Sequence, residues 1–241
     1  MKEVKPDQTA ATSKKQQVEE MFNSIAPRYD FLNRVLSMGI DRGWRTKAIR
    51  SLKDIQPKYI LDVATGTADL AIEALKLNPT KVTGIDISEL MLKVGEDKIK
   101  AKNLTDKIEL VKGDSEHLVF DDNSFDAITV AFGVRNFEHL QKGIDEMYRV
   151  LRPGGKIAVL EFSKPKSFPF KQIYNFYFSA ILPTWGGLIS KNKSAYTYLP
   201  ESVQHFPEGN EFIAYLNRAG FKEAKSNTLT FGICSLYTAI K

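Results

Sequence analysis

The segment from Ile60 to Leu70 constrains the fold of this chain more than any other. Its apolar start is typical of a buried strand, its middle is a turn of small residues around Gly66, and its end begins a helix. A second apolar run follows at 82–85 and ends in Asp86. Sites for nucleotide-containing cofactors typically use such a unit, which consists of a strand, a tight turn, a helix and a second strand that ends in an acidic residue.

The charge beside this turn favours one type of cofactor. Asp62 stands at the end of the first predicted strand, just ahead of the turn. A dinucleotide places its pyrophosphate at the N-terminus of the following helix, where a neighbouring carboxylate repels it. S-adenosylmethionine carries an ammonium and a sulfonium, which a carboxylate attracts. The turn therefore predicts S-adenosylmethionine. A NAD-binding oxidoreductase is the alternative, but Asp62 and the scarcity of glycines beside Gly66 argue against it.

Strand and helix patterns alternate along the following chain. We predict strands at 58–63, 81–85, 107–111, 125–131 and 156–162, and helices at 67–77, 88–102 and 137–151. Repeated βαβ units imply a parallel sheet with helices on both faces. We predict a last helix at 210–219 and strands near 221–227 and 229–240. Because no helix separates these two strands, they imply an antiparallel pair. The predicted class is α/β, with a seven-stranded Rossmann-like sheet typical of methyltransferases.

The remaining segments define the domain organisation. Residues 1–17 are polar and are predicted to form a flexible leader. Residues 18–241 are predicted to form one domain, in which 18–56 is a helical cover. Aromatic residues such as Trp185 are dense in 163–208, after the fifth strand. We expect this segment to be an insertion over the carboxyl edge of the sheet, facing the substrate.

Composition limits the partners and the compartment. The 241 residues contain no apolar run long enough to cross a bilayer, and the N-terminus lacks a signal-peptide apolar region. We therefore expect a cytoplasmic protein. The net charge of +5 permits an anionic membrane surface or nucleic acid, but the lysines are scattered, so no nucleic-acid partner is expected. Lys14 and Lys15 lie in the leader and are assigned no role. A homo-oligomer is left open.

Neither a disulfide nor a metal centre is expected. Cys234 is the only cysteine, which excludes an intramolecular disulfide. The three histidines, His117, His139 and His205, do not have the spacing of metal ligands. His205 lies in the aromatic segment and is a reserve base candidate.

Acids follow three of the predicted strands, at Asp62, Asp86 and Asp114. Open α/β sheets bind ligands at the carboxyl ends of their strands, where these acids meet. Asp86 can accept hydrogen bonds from both ribose hydroxyls, and Asp114 can accept one from the adenine amino group. Any one of the acids alone is explained equally well as a turn or cap residue. The three together predict a cofactor site, which also includes Gly66.

Two further clusters could act on a substrate. Arg135 and Asn136 follow the fourth predicted strand, near where the transferred methyl group should lie. Arg135 could bind an oxyanion or polarise a substrate oxygen, and a surface salt bridge is the alternative. The segment Met21–Asn33 mixes aromatic and polar residues ahead of the cofactor unit. It could close over a substrate as a lid, and an amphipathic covering helix is compatible with that.

Several stretches together resemble the ubiquinone/menaquinone biosynthesis C-methyltransferase family. The resemblance covers nearly the whole chain after residue 17. Its most specific pieces are Phe-Gly-Val-Arg-Asn at 132–136 and Leu-Glu-Phe-Ser-Lys-Pro at 160–165. The other stretches are Met21–Asn33, Leu61–Leu70, Gly113–Phe120, Tyr148–Gly155 and Tyr198–Pro207.

The resemblance implies methyl transfer from S-adenosylmethionine to a ring carbon of a polyprenylated quinol. By motif position, it implies that Thr67, Asp86, Asp114 and Ser115 contact the cofactor. Ala68 departs from the family's glycine-richer turn. Demethylmenaquinol and a 2-methoxy-6-polyprenyl-1,4-benzoquinol are both open as substrates. We favour the naphthoquinol, because the chain lacks a recognisable organelle-targeting leader.

The hypothesis for catalysis assigns roles to four residues. Arg135 stabilises a phenolate, while Tyr29, Asp30 and Asn136 orient the ring or relay a proton. The polyprenyl tail leaves through the aromatic insertion toward a membrane, with which the protein makes peripheral contact. The alternatives are a nucleic-acid or small-molecule methyltransferase and, as a non-enzyme, a regulator that binds S-adenosylmethionine without turnover.

Overall fold

The structure, a computed structural model, describes residues 4–37, 39–177 and 193–241. Trp185, which the sequence places in the aromatic insertion, lies outside the described residues. The strands within the described part are β1 (Tyr59–Val63), β2 (Lys81–Asp86), β3 (Ile108–Lys112), β4 (Phe125–Ala131), β5 (Leu151–Phe162), β6 (Lys222–Leu229) and β7 (Cys234–Ile240). The α-helices there are α1 (Lys14–Ile25), α2 (Tyr29–Leu36), α3 (Asp41–Arg50), α4 (Asp69–Ala74), α5 (Glu89–Ala101), α6 (Leu140–Val150), α7 (Phe170–Phe176), α8 (Lys193–His205) and α9 (Asn210–Ala219).

The strands form one seven-stranded sheet in the order β3-β2-β1-β4-β5-β7-β6. Strands β1 to β5 are parallel, and β7 lies antiparallel between β5 and β6. The predicted fold class, including the antiparallel terminal pair, is confirmed. The strand order reverses between β1 and β4, and ligands of open α/β sheets bind outside the carboxyl ends of the strands at such a switch point.

Apolar side chains alternate across the sheet and bury helices on both faces. On one face Leu61 of β1 belongs to a buried cluster with Ile144 of α6. On the other face its neighbour Ile60 belongs to a cluster with Trp44 of α3. Because successive side chains of a strand point to opposite faces, a single apolar strand contributes to both cores. This double burial holds the strand ends, and the loops that follow them, in fixed positions.

The first helix begins earlier than the sequence indicated. Helix α1 starts at Lys14, inside the segment predicted as a leader, and Ser13 is its N-cap. The Ser13 side chain accepts a hydrogen bond from the backbone N–H of Gln16, whose side chain reaches back to the N-cap backbone. Such a reciprocal capping box satisfies two backbone donors that the helix leaves open. Upstream of it, Val4 is buried beside Met21 of α1.

The connection from α6 to β5 contains an irregularity at residues 152–155, which separate the predicted helix at 137–151 from the predicted strand at 156–162. Helix α6 ends at Val150, and strand pairing begins at Leu151 rather than at residue 156. Gly154 has a φ of +78°, which is in the left-handed region that favours glycine. The pairing with β4 shifts register at this point, so these residues form a bulge inside one long strand.

No helix within residues 4–37, 39–177 and 193–241 has both the length and the apolar character needed to span a membrane.

Candidate active site

An open cleft of about 700 Å³ lies at the carboxyl ends of the four strands β1 to β4. Each strand contributes lining residues from its end or from the loop that follows it. These residues are Gly66 after β1, Asp86 at the end of β2, Asp114 after β3 and Asn136 after β4. The cleft therefore lies where the topology places the ligand site of such a sheet.

The N-terminal helices close the cleft from the opposite side. Lys15, Val18 and Phe22 of α1 line it, together with Tyr29 at the start of α2. The Phe22 and Tyr29 rings meet edge to face, with their centroids 6.1 Å apart. Burial raises the pKa of Tyr29, so its hydroxyl stays protonated near neutral pH. The segment predicted as a lid thus contributes directly to the wall of the site.

Asp86 ties the turn after β1 to the end of β2. Its Oδ2 accepts a hydrogen bond of 2.8 Å from the Gly66 backbone N–H, and its Oδ1 accepts one of 2.9 Å from Ser88. Burial raises the pKa of Asp86, although these backbone donors oppose the shift. Ala64 and Ala68 adopt positive φ values of 53° and 67° around this turn. The turn therefore keeps a glycine-like backbone with alanine at two of its positions.

Asp62 faces into the protein rather than into the cleft. Its carboxylate is fully buried and accepts hydrogen bonds of 2.6 Å from the hydroxyls of Thr65 and Thr129. Burial raises the pKa of Asp62 from 3.8 to about 6, against the effect of both hydroxyls. Asp62 is not among the residues that line the cleft. It therefore supports the turn from behind, whereas Asp86 and Asp114 line the cleft.

Lys15 pairs with Asp114, the acid that follows β3. Lys15 Nζ lies 2.7 Å from Asp114 Oδ2, and the backbone N–H of Glu116 donates to Oδ1 at 2.9 Å. Burial opposes ionisation of Asp114, but the hydrogen bonds from Lys15 and from Glu116 outweigh it and lower its pKa. Ser115 lines the cleft beside this pair. Sequence reasoning missed Lys15. The capping box just ahead of it was the signal that α1 begins there.

The neighbouring Lys14 anchors the same helix to the loop after β4. Its ammonium is buried and donates to the carbonyl oxygens of Arg135 at 3.0 Å and Phe137 at 2.8 Å. The two lysines therefore hold α1 against the ends of two different strands. Both were assigned no role from the sequence, yet Lys15 lines the cleft and Lys14 anchors the helix that borders it.

Asp30 and Thr67 meet outside the cleft lining. The Thr67 hydroxyl donates to Asp30 Oδ1 at 2.6 Å, and Lys98 Nζ of α5 lies 2.7 Å from Asp30 Oδ2. Lys98 also pairs with Asp69 at 2.6 Å. This polar cluster joins α2, the turn after β1 and α5. The structure thus brings together one residue predicted to contact the cofactor and one predicted to act in catalysis.

Arg135 forms a buried ion pair beneath the loop after β4. Its Nη1 lies 2.7 Å from Glu161 Oε1 in β5, and Glu161 is fully buried. Burial raises the pKa of Glu161, while the charge of Arg135 opposes this shift. The backbone N–H of Phe162 donates to Glu161 Oε1 at 2.8 Å. Sequence reasoning missed Glu161, although an acid inside an apolar strand is a signal because a buried carboxylate needs a partner.

Three polar atoms near this ion pair have no hydrogen-bond partner among the described residues. They are Arg135 Nε, Asn136 Oδ1 and the Tyr198 hydroxyl, and all three are buried. We call the four residues Arg135, Asn136, Glu161 and Tyr198 the Arg135 cluster. It adjoins the cleft at Asn136, which lines it. Buried polar groups in native proteins are almost always paired, so such a concentration indicates a place for a bound polar group.

Six of the ten predicted site residues line the cleft and four do not. Those in the lining are Tyr29, Gly66, Asp86, Asp114, Ser115 and Asn136, and those outside it are Asp30, Asp62, Thr67 and Arg135. His205 lies on α8, with its Nδ1 3.0 Å from the Glu201 carbonyl oxygen. The cleft and the Arg135 cluster thus adjoin each other through Asn136.

The donor and acceptor groups of the cleft fit S-adenosylmethionine. Two carboxylates at neighbouring strand ends, Asp86 and Asp114, can accept hydrogen bonds from a ribose and an adenine amino group. Gly133 permits a close approach of two loops, since a Cβ there would lie 2.6 Å from the Ala64 Cβ. With the seven-stranded sheet, these groups define the class of S-adenosylmethionine-dependent methyltransferases.

Sequence comparison gives the family within that class. The ubiE/COQ5 methyltransferase family matches residues 10–241, and the chain belongs to it. A demethylmenaquinone methyltransferase of Bacteroides fragilis is 52% identical over 95% of this chain and 94% of its own. A ubiquinone/menaquinone biosynthesis C-methyltransferase UbiE of Geotalea daltonii is 48% identical over 95% of this chain and 98% of its own.

Solved structures agree on the fold. A SAM-dependent methyltransferase from Aquifex aeolicus has a TM-score of 0.55 at 21% identity, over 76% of this chain and 81% of that one. The [4+2]-cyclase SpnF has a TM-score of 0.59 at 17% identity, over 96% of this chain and 97% of that one. At such identities the likeness concerns the fold alone, so the chemistry has to be argued from the site.

Proposed function

We propose that this enzyme methylates a ring carbon of a polyprenylated quinol, converting demethylmenaquinol to menaquinol. The Arg135 cluster is the observation that carries the proposal. It offers a buried guanidinium beside the cofactor cleft, with a donor left open for a substrate oxygen. The choice of ring is supported by relatives named demethylmenaquinone methyltransferase, which are 46–52% identical to this chain.

The residues of the cleft have separate proposed tasks. Asp86, Asp114, Ser115 and Gly66 hold the cofactor directly. Asp62 acts on the turn through its threonine partners. Asp30 and Thr67 fix the cofactor turn against α2 and α5, so we propose a positioning role for them instead of the proton relay and cofactor contact expected from the sequence.

S-adenosylmethionine, held by Asp86, Asp114, Ser115 and Gly66, would supply an electrophilic methyl group to the ring carbon; its sulfur would keep the electron pair of the broken bond, and the ring proton would pass to solvent water. The protein's task is to make that ring carbon nucleophilic. Arg135 stabilises the negative charge on the neighbouring oxygen, and Asn136 accepts a hydrogen bond from the quinol hydroxyl. Tyr29 borders the ring from α2. Holding the reactants in line can contribute about 7–11 kcal/mol.

The polyprenyl tail needs an apolar exit, and an exposed apolar patch offers one. It consists of Phe168, Ile173, Phe176 and Phe231, which are 60–80% exposed. The rings of Phe170 and Phe231 stack with their centroids 3.9 Å apart, and this contact joins α7 to the turn between β6 and β7. We propose that this patch rests on the inner face of the cell membrane, where anionic lipid attracts a chain of net charge +5.

Vesicle sedimentation tests the membrane contact. The double variant Phe168→Ser/Phe176→Ser should reduce binding to anionic vesicles by severalfold. Val119→Ser is the matched control, because Val119 is 67% exposed but lies outside the patch. Equal losses for both variants would argue against a specific contact.

Methylation of a benzoquinol in ubiquinone biosynthesis is the second candidate, since relatives such as the 48% identical one are named for both pathways. Labelled S-adenosylmethionine should be offered with chemically reduced demethylmenaquinol and demethyl-methoxybenzoquinol, side by side in detergent. We expect label in menaquinol. Label only in the benzoquinol product would change the ring assignment, and label in neither, with cofactor still binding, would overturn the proposed function.

A further inference from the structure

We propose that the hydroxyl of Tyr198 binds the substrate oxygen next to the methylated carbon, together with Arg135. This inference rests on the proposed function and adds a residue to its site. Tyr198 lies on α8, far along the chain from the cleft residues, and no role was assigned to it from the sequence.

The surroundings of Tyr198 keep its hydroxyl away from water. Its side chain is only 3% exposed and packs in a buried cluster with Val4, Val18 and Met21. Val18 itself lines the cleft. Tyr198 therefore lies where α8 meets the N-terminal cover of the site, and its ring is fixed by apolar contacts.

Helix α8, which carries Tyr198, contacts the short turn Val134–Asn136, which carries Arg135 and Asn136. Burial raises the pKa of Tyr198, and among the charges acting on it are those of Arg135 and Glu161. The group therefore remains a neutral hydrogen-bond donor. A phenylalanine at this position would fill the same space without leaving a hydroxyl unpaired. Packing alone therefore does not explain the hydroxyl.

The three open atoms of the Arg135 cluster complement a quinol. Arg135 Nε carries a donor, Asn136 Oδ1 is an acceptor, and the Tyr198 hydroxyl can serve as either. A quinol hydroxyl can donate to the amide oxygen. After it loses its proton to solvent water, the resulting oxyanion can accept hydrogen bonds from the guanidinium and the tyrosine. A buried polar group without a hydrogen bond costs free energy. A substrate that forms these hydrogen bonds recovers that free energy on binding.

The variant Tyr198→Phe distinguishes a role in substrate binding from a role in packing, because we expect it to raise stability while lowering activity. Loss of the unpaired hydroxyl should raise the melting temperature of the ligand-free enzyme by about 2–4 °C. The kcat/KM for reduced demethylmenaquinol should fall about tenfold, while the Kd for S-adenosylmethionine stays within twofold. Tyr237→Phe is the matched control, since the buried Tyr237 hydroxyl accepts a hydrogen bond from the Gly209 N–H at 2.8 Å. It should lower the melting temperature and leave kcat/KM unchanged.

The outcomes distinguish this inference from the proposed function. A wild-type enzyme that methylates the quinol and a Tyr198→Phe variant with the same kcat/KM would overturn the role of Tyr198. A variant that loses stability and activity together would show a structural role and would overturn it as well. A wild-type enzyme that binds S-adenosylmethionine but methylates neither quinol would overturn the proposed function first.

Discussion

Lys15 lies over Asp114, with its Nζ 2.7 Å from the Oδ2 of that carboxylate. Both residues line the cleft, one from the first helix and one from the loop after β3. The pair therefore joins the N-terminal cover to the acid proposed to recognise the adenine amino group. Under the proposed assignment of Asp114, this one contact serves both closure of the site and recognition of the cofactor.

Replacement of Lys15 by Met should weaken S-adenosylmethionine binding by about two- to fivefold. Such a partly exposed pair contributes about 0–1 kcal/mol, and 1.4 kcal/mol corresponds to a factor of ten. Because salt screens the pair, the difference from wild type should shrink at high ionic strength. Titration calorimetry at two salt concentrations measures both effects. Lys76→Met is the control, since Lys76 pairs with Glu73 on the surface. Unchanged or tighter binding in Lys15→Met would argue against the contact.

A methyl group at position 133 should force the cofactor turn out of place. The Cβ of Gly133→Ala would lie 2.6 Å from the Ala64 Cβ, and neither atom belongs to a flexible side chain. Overpacking of this kind costs about 1–3 kcal/mol. We expect the Kd for S-adenosylmethionine to rise about tenfold.

Gly43→Ala is the matched glycine control. Nothing lies within 4 Å of a Cβ at Gly43, which is in the exposed part of α3. This variant should leave the Kd unchanged and raise the free energy of unfolding by about 0.5–1 kcal/mol. If both variants bound the cofactor equally well, the close approach of the two loops would have no role in the site.

Asp62 should make the stability of the enzyme depend on pH in an unusual direction. Its folded pKa of about 6 lies above its ordinary value of 3.8, so the folded state binds the proton more tightly. The resulting stability is fully present below pH 4 and is lost as the pH rises through 6, with a total of about 3 kcal/mol.

The comparison with Asp62→Asn isolates this effect, since asparagine does not titrate. Urea unfolding of both proteins between pH 4 and pH 7 gives the difference in their free energies of unfolding. That difference should move against the wild type by about 2 kcal/mol between pH 4 and pH 7. A difference that stays constant over this interval would mean that Asp62 titrates normally.

The parallel sheet and the position of the site could be predicted because both follow from patterns along the chain. Apolar runs ending in Asp86 or preceding Asp114 place these acids at strand ends, and topology brings strand ends together. The direction in which a side chain points at such a strand end does not follow from these patterns. Asp62 turns inward because two hydroxyls, one from Thr129 on a neighbouring strand, are available to it. That partner lies 67 positions along the chain, where no local pattern records it.

The same limit applies to the substrate side of the site. Arg135 was predicted from its place after β4, but its partner Glu161 comes from the next strand and Tyr198 comes from α8. Contacts between elements distant in sequence depend on packing rather than on periodicity. Lys14 and Lys15 show a milder case, because the capping box formed by Ser13 and Gln16 is a local signal for a helix start, although the polar composition of the segment favours a flexible leader.

The most direct test of the proposed chemistry is the kinetics of Arg135→Lys. Lysine keeps a positive charge that can pair with the buried Glu161, but it removes the Nε–H that has no partner among the described residues. We expect kcat for the reduced quinol to fall about 100-fold, with the Kd for S-adenosylmethionine within twofold of wild type. A variant that keeps its kcat and loses cofactor affinity would contradict the assignment of Arg135 to the substrate.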